Sequence, residues 1–287
     1  MPSMRDIKNK IKSLKGTKRI TSAMKAVSAA KLRKAQTELY RIRPYADVMS
    51  DMIKNLCYRA NPDEHPILAK RPVFRIELLL IGSDKGLCGA FNSNIIRAVK
   101  KFAKEKKREG ITLSLTTVGN KLSQFFTKHS DLKVRKEYRD VFRKIGIPLA
   151  EEIAEELYRG YVTEYCDEIY VVYNKFINPL VQEVTFEKLM PLEPEETSFK
   201  SEGEYYMEQE ESVIDEAVEA YLRAAVYRAL KESETSEHAA RMTAMDNATK
   251  NTEDMIHKLT LSFNKARQAA ITKELIEITT AIEAMKK

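Results

Sequence analysis

The sequence contains no tryptophan, only 9 glycines and 9 prolines in 287 residues, and three cysteines, Cys57, Cys88 and Cys166. An odd, scattered set of thiols with no CxxC spacing excludes a disulfide framework and a cysteine-based zinc site, and fits a reducing compartment. No apolar run approaches the ~20 residues of a membrane span. The basic start, MPSMRDIKNKIKSLKG, lacks the apolar segment of a secretory signal. So few chain breakers leave room for long uninterrupted helices. What is abundant is charge, 32% of residues, beside 43% apolar ones, a balance that excludes both a disordered and a membrane-embedded chain.

The breakers divide the chain into three. Gly16 and Pro44 are the only ones from Ser3 to Cys57, and none occurs from Glu204 to Lys287. In the last stretch, Met242, Met245, Thr249, Thr252, Ile256, Leu259, Phe263, Ala266 and Ala270 alternate spacings of three and four, a coiled-coil seam. The register then slips and resumes as Ile271, Leu275, Ile278, Ile282 and Met285. A helix of roughly 70 residues would reach about 100 Å, and its stripe needs a partner. The N-terminal segment offers one: Ile7, Ile11, Leu14, Ile20, Met24, Val27, Leu32, Ala35, Leu39 and Ile42, with small residues from Ser22 to Ala30 and a kink expected at Pro44. The expected architecture is α/β with long helices. An N-terminal coiled-coil helix (1–58) and a C-terminal one (204–287) pair antiparallel, and a Rossmann-like α/β domain (59–203) is inserted between them. That domain reads as strands at Val73–Ile81, Ile111–Val118, Glu168–Tyr173 and Val181–Met190, with helices at Ser93–Arg108 and Ile147–Tyr161 and a short one after Gly119.

The formal charge of +7 is unevenly distributed. Thirteen cations between Arg5 and Arg43 face only Asp6 and Glu38, whereas Glu193–Glu219 is strongly acidic. A basic helix that also carries an apolar seam suits an acidic protein surface. It could also bind nucleic acid, although no aromatic residue precedes Tyr40 to form a stacking platform. The loop Gly82-Ser-Asp-Lys-Gly-Leu-Cys-Gly89 invites a phosphate-binding reading, but its glycines are spaced GxxxGxxG and Lys85 precedes Gly86. A tight turn packing strand on helix is the alternative. His65, His129, His238 and His257 have no neighbours at metal spacing, and Ser83 with Asp84 reads as a turn. Glu151, Glu152, Glu155 and Glu156 read as the solvated face of one helix. No catalytic site, cofactor site or metal site emerges. The polar cluster Arg267, Gln268, Thr272, Glu274 and Glu277 suits either hydrogen bonding to another chain or a solubilised helix end.

Several stretches resemble one family closely. Ile11 to Val27 (IKSLKGTKRITSAMKAV) and Lys31 to Gln36 look like the first helix of the gamma subunit of F-type ATP synthase. Ser83–Asn92, Tyr173–Asn178, Ser236–Thr249 and Asn264–Ile278 resemble later segments of the same family, in order along nearly the whole chain. One departure is Ala281-Ile282, where the family usually has Gly-Ala. The resemblance implies a non-catalytic central-stalk rotor that couples proton flow to ATP synthesis or hydrolysis in a surrounding catalytic ring, regulating both. It implies contacts of Lys18, Arg19, Met24 and Lys25 with an acidic loop of a catalytic subunit. Arg241, Gln268, Thr272, Glu274 and Glu277 would touch the ring near the shaft tip. The α/β domain and Tyr205 and Tyr206 would sit near the epsilon subunit and the membrane c-ring. Alpha and beta subunits complete the partner set. No nucleic acid, no direct nucleotide binding and no cofactor are expected, and the location implied is peripheral, on the cytoplasmic face of the bacterial inner membrane. Two rivals remain, a nucleic-acid-binding hairpin and a nucleotide-using α/β enzyme with helical extensions.

Overall fold

The computed structural model describes residues 4–59, 71–143, 145–192 and 211–285. The chain begins with helix α1 (Met4–Arg59) and ends with helix α5 (Glu211–Met285), 56 and 75 residues long. Between them run β1 (Arg75–Ile81), α2 (Phe91–Arg108), β2 (Thr112–Val118), α3 (Asn120–His129), β3 (Lys133–Tyr138), α4 (Ile147–Val162), β4 (Glu168–Phe176) and β5 (Gln182–Met190). Pro44 lies inside α1 and does not end it. The residues form two compact units, one of Met1–Ser28 with Met242–Lys287 and one of Ala29–Arg241.

In the larger unit the five strands lie in the order β3-β2-β1-β4-β5. The first four are parallel and β5 returns antiparallel on β4. β1 is central and buried along both faces, which is why it reads as an unbroken apolar run. Its side chains alternate as a strand's must: Ile76, Leu78 and Leu80 enter the core under α2 and α3, while Leu79 and Ile81 enter the core shared with α4 and with the α1 and α5 segments of this unit. β3 has no counterpart among the strands expected from sequence. Its residues, Lys-Val-Arg-Lys-Glu-Tyr, are mostly polar because it is an edge strand, only half covered.

In the smaller unit the two helices run antiparallel. Thr249 Oγ1 donates to Thr21 Oγ1 at 2.8 Å, Lys25 pairs with Asp246 at 2.6 Å, and Lys18 pairs with Glu253. On α5 the covered positions are those of the expected seam: Met245 and Thr252 are buried, and Thr249, Ile256, Leu259, Phe263, Ala266 and Ala270 half-buried. The α1 stripe differs from expectation. Ile20 and Val27 point outward, 62% and 57% exposed, whereas Thr21 and Ser28 are buried. A seam follows helical geometry before hydrophobicity, and the 3–4 spacing from Ile11 and Leu14 selects the neighbouring small polar residues. These bury their hydroxyls at modest cost because each finds a bond, Thr21 to the Lys18 carbonyl at 3.1 Å and Ser28 to the Met24 carbonyl at 2.8 Å.

Candidate functional site

An open parallel sheet binds ligands at the carboxyl ends of its strands, where the strand order reverses. In this sheet the reversal lies between β1 and β4. Helix α5 fills that crevice. Ser233 Oγ donates to the Ile81 carbonyl at the end of β1, at 3.2 Å. At the end of β4, the Glu232 carboxylate accepts the Phe176 N–H at 2.8 Å, and Arg43 from α1 donates to the Phe176 carbonyl at 2.7 Å. Arg43 and Glu232 also pair with each other through two bonds of 2.7 and 2.9 Å.

The loop after β1 spends its polar groups internally. Asn92 Oδ1 accepts from the Ser83 N–H at 3.1 Å, and its amide donates to Ser83 Oγ at 2.8 Å. Ser83 Oγ in turn donates to the Lys85 carbonyl at 2.8 Å. The Asp84 carboxylate accepts from the backbone N–H groups of Asn120, Asp140 and Phe142, tying three loops together. Gly119 has φ +98, and a Cβ there would press on the backbone of Gly82 and Ser83 at 3.0 Å, so only glycine permits this approach. A Cβ on Gly82 would likewise collide with Leu122 of α3, so Gly82 and Gly119 serve close packing of strand and helix. Among the described residues no cluster of His, Cys, Asp or Glu is arranged to hold a metal ion.

A cleft of about 450 Å³ lies beside the crevice, lined by Arg43, Asp47, Lys175, Glu187 and Arg228 among others. Arg228 pairs there with Asp47 at 3.0 Å and with Glu187, and Tyr173 donates to Glu187 at 2.9 Å. Burial, aided by the Glu187 charge, pushes the Tyr173 hydroxyl far above its ordinary range, so it stays a neutral donor.

The residues singled out from sequence fall into three settings. Met24 is half-buried beside the seam and Arg19 is exposed, while Lys18 and Lys25 each hold an acid on the facing helix and remain partly open to solvent. Arg241 turns inward in the larger unit. It is paired with Glu237 and donates to the carbonyls of Gly86 at 3.2 Å and Lys85 at 3.4 Å, so it clasps the loop after β1. Burial alone would raise the Glu237 carboxyl, but His238 and Arg241 outweigh it and hold Glu237 below the usual range. Gln268, Thr272, Glu274 and Glu277 are all exposed; Thr272 donates to the Gln268 carbonyl at 2.9 Å and Glu277 pairs with Lys273 at 3.6 Å. Tyr205 and Tyr206 lie outside the described residues.

The far part of α5 is decisive. In the register set by Thr21 and Thr249, Met4 of α1 falls opposite Ala266 and Arg267. From Ile271 to Ala281 every residue is exposed, including Leu275, Ile276 and Ile278 at 57–60%. The helix outruns its partner and presents large apolar side chains that nothing among the described residues covers. The model of the ATP synthase family matches residues 3–285. ATP synthase gamma chains of Geobacter metallireducens and Aquifex aeolicus are 43% and 44% identical to this chain; the first match spans all of both chains, the second 99% of this chain and 98% of the relative. The chain belongs to the ATP synthase gamma-chain family. A cryo-EM structure of the central stalk and c-ring of Tetrahymena thermophila mitochondrial ATP synthase is 28% identical, covers 80% of this chain and 99% of its own, and superposes with a TM-score of 0.62. The rotor of the Euglena gracilis mitochondrial enzyme, at 21% identity, shares the fold with a TM-score of 0.68 over 93% of this chain and 98% of that one.

Family motifs marked the loop and the helix tip, but the sequence reading missed the buried polar row that closes the strand ends. Lys231, Glu232, Ser233, Thr235, Ser236 and Glu237 are all buried. Their signal was present: the apolar periodicity of Ile214–Leu230 stops at Lys231, yet no glycine or proline ends the helix. A polar run inside an unbroken helix has to be satisfied by something packed against it. The carboxylates of α4 were likewise misread in part. Glu156 pairs with Arg135 and Lys136, Glu151 with Arg223 and the exposed Glu152 with Lys136 at 3.7 Å, so of the four Glu155 alone has no ion-pair partner among the described residues.

Proposed function

We propose that this chain is the non-catalytic central-stalk subunit of an F-type ATP synthase, the rotor that couples proton flow through the membrane sector to ATP synthesis and hydrolysis in a ring of alpha and beta subunits. The observation that carries the reading is the exposed apolar end of α5 in a chain that matches gamma chains from end to end. An amphipathic helix leaves such an end bare when a different protein covers it. Functionally the chain divides into an N-terminal helix (1–58), an α/β domain (59–203) and a C-terminal helix (204–287).

A rotor works by making different contacts with each of several equivalent sites, and each contact shifts a binding equilibrium by its differential energy. Lys18, Arg19, Met24 and Lys25 are assigned to an acidic loop of a catalytic subunit. Lys18 and Lys25 suit this although each is ion-paired, because solvent-exposed pairs are screened and exchange partners readily. Gln268, Thr272, Glu274 and Glu277 are assigned to ring contacts near the tip. Arg241, clasping the chain's own loop, would act by holding the loop's shape. The epsilon subunit and the c-ring are assigned to the α/β domain and the segment around Tyr205 and Tyr206. No described helix is long and apolar enough to cross a membrane. Attachment is assigned to the partners, on the cytoplasmic face of a bacterial inner membrane.

The test is co-purification. A tagged chain expressed in its own cells should bring down alpha, beta and epsilon subunits with an ATPase activity that the chain alone lacks. Recovery of the chain without them, or turnover by the chain alone, contradicts the reading.

A further inference from the structure

Torque has to pass between the α/β domain and the long helices, and apolar packing is poorly suited to carry it. Buried hydrocarbon resists separation but has no preferred direction along the surface. Charge-assisted hydrogen bonds fix position, since they weaken steeply with misalignment. In the larger unit one residue of the sheet is held by such bonds at both its backbone N–H and its backbone C=O. Glu232 of α5, with only 3% of its side chain exposed, accepts the Phe176 N–H. Arg43 of α1 donates to the Phe176 carbonyl, and the two side chains close the ring with a bidentate pair. Glu232 holds the Arg43 guanidinium above its ordinary range, so the arginine keeps its charge.

We propose that the Arg43–Glu232 pair, clamped on the backbone N–H and C=O of Phe176 at the end of β4, is a torque-carrying joint that locks the α/β domain to both long helices. This rests on the central-stalk reading. It names two positioning residues that touch no nucleotide and act through the strand they hold. The neighbouring pair Glu38–Lys231 is the natural comparison, because it also joins α1 to α5, at 2.8 Å, with Lys231 reaching Glu38 and Glu234, both on helices.

The experiment compares Arg43→Ala, Glu232→Ala, Glu232→Gln, Arg43→Lys and Glu38→Gln in the reassembled complex in vesicles. Protons pumped per ATP hydrolysed are measured as the opposing proton gradient is raised. The joint predicts that Arg43→Ala, Glu232→Ala and Glu232→Gln match the unsubstituted complex without load and fall several-fold below it under load, that Arg43→Lys keeps part of what Arg43→Ala loses, and that Glu38→Gln follows the unsubstituted curve throughout. Equal curves for Glu232→Gln and the unsubstituted complex overturn it, as does an equal loss in Glu38→Gln. Amide exchange at Phe176 in the purified full chain reads the clamp without the complex. Faster exchange is expected in Glu232→Ala and Arg43→Ala but not in Glu38→Gln, and unchanged exchange overturns the proposal even where a variant fails to assemble. If the unsubstituted complex itself does not couple, the stalk reading fails, and the exchange result still decides the clamp.

Discussion

Single residues in this chain are tuned mainly by burial and by one or two charged neighbours. Cys57 and Cys166 are buried, and that burial pushes both thiols up to about 12; Cys88 is raised for the same reason. A thiolate is the reactive form, so all three should resist a thiol reagent at pH 8 in the folded chain and react together on unfolding. Rapid labelling of the native chain would contradict that environment. Glu38, Glu156 and Glu237 are all held below the ordinary carboxylate range. A carboxyl lowered in the folded state adds stability that is complete above its unfolded value and is lost as pH falls through the folded one. Denaturant midpoints should therefore drop as pH is lowered below the ordinary glutamate range, and less steeply in Glu237→Gln, whose midpoint at neutral pH should already be lower. Parallel pH curves for the two chains would remove Glu237 from the acid response. Arg241 marks a limit of sequence reading at this scale. The family motif drew attention to it, but only coordinates place its guanidinium on the Lys85 and Gly86 carbonyls.

At the scale of elements, what the sequence disclosed depended on how one-sided each element's burial is. The seam of α5 was legible because Met245, Thr249, Thr252, Ile256 and Leu259 repeat without interruption. β1 was legible because both its faces are covered. On α1 the apolar Ile20 and Val27 obscured the true seam, where Thr21 and Ser28 lie, since a hydrophobicity count cannot distinguish a buried hydroxyl from an exposed one. β3 escaped because an edge strand need not alternate apolar and polar residues. The same distinction between covered and bare positions predicts opposite mutational effects. Leu222→Ala, at a fully buried site on α5, should cost the isolated chain about 2–5 kcal/mol. Leu275→Ala, 60% exposed on the same helix, should leave the melting of the isolated chain within about 0.5 kcal/mol yet weaken assembly with alpha and beta subunits. Calorimetry of the chain and pull-down of the ring give the two readouts, and a large loss of intrinsic stability in Leu275→Ala would mean that the tip is not bare.

The whole molecule combines features that a rotating shaft requires: long helices with few breakers, a helix end left for another protein to cover, and strand ends sealed by the chain's own side chains. The crevice between β1 and β4, where a sheet of this order can bind a ligand, is filled by α5. Met24 lies beside the seam in a stretch of small residues. Met24→Lys should add a charge where the proposed partner contact lies and lower the protons pumped per ATP while hydrolysis continues; an unchanged ratio would remove Met24 from the coupling contacts. Gln268→Leu and Thr272→Val should weaken assembly or turnover more than Glu155→Gln, which lies on the solvated side of α4, and equal effects would defeat the tip assignment. The most direct measurement places a probe on the α/β domain through Glu155→Cys, the native thiols being buried and unreactive, and immobilises the alpha–beta ring. On addition of ATP the probe should turn in one direction in discrete steps. A probe that stays fixed while the ring continues to hydrolyse ATP would contradict the account.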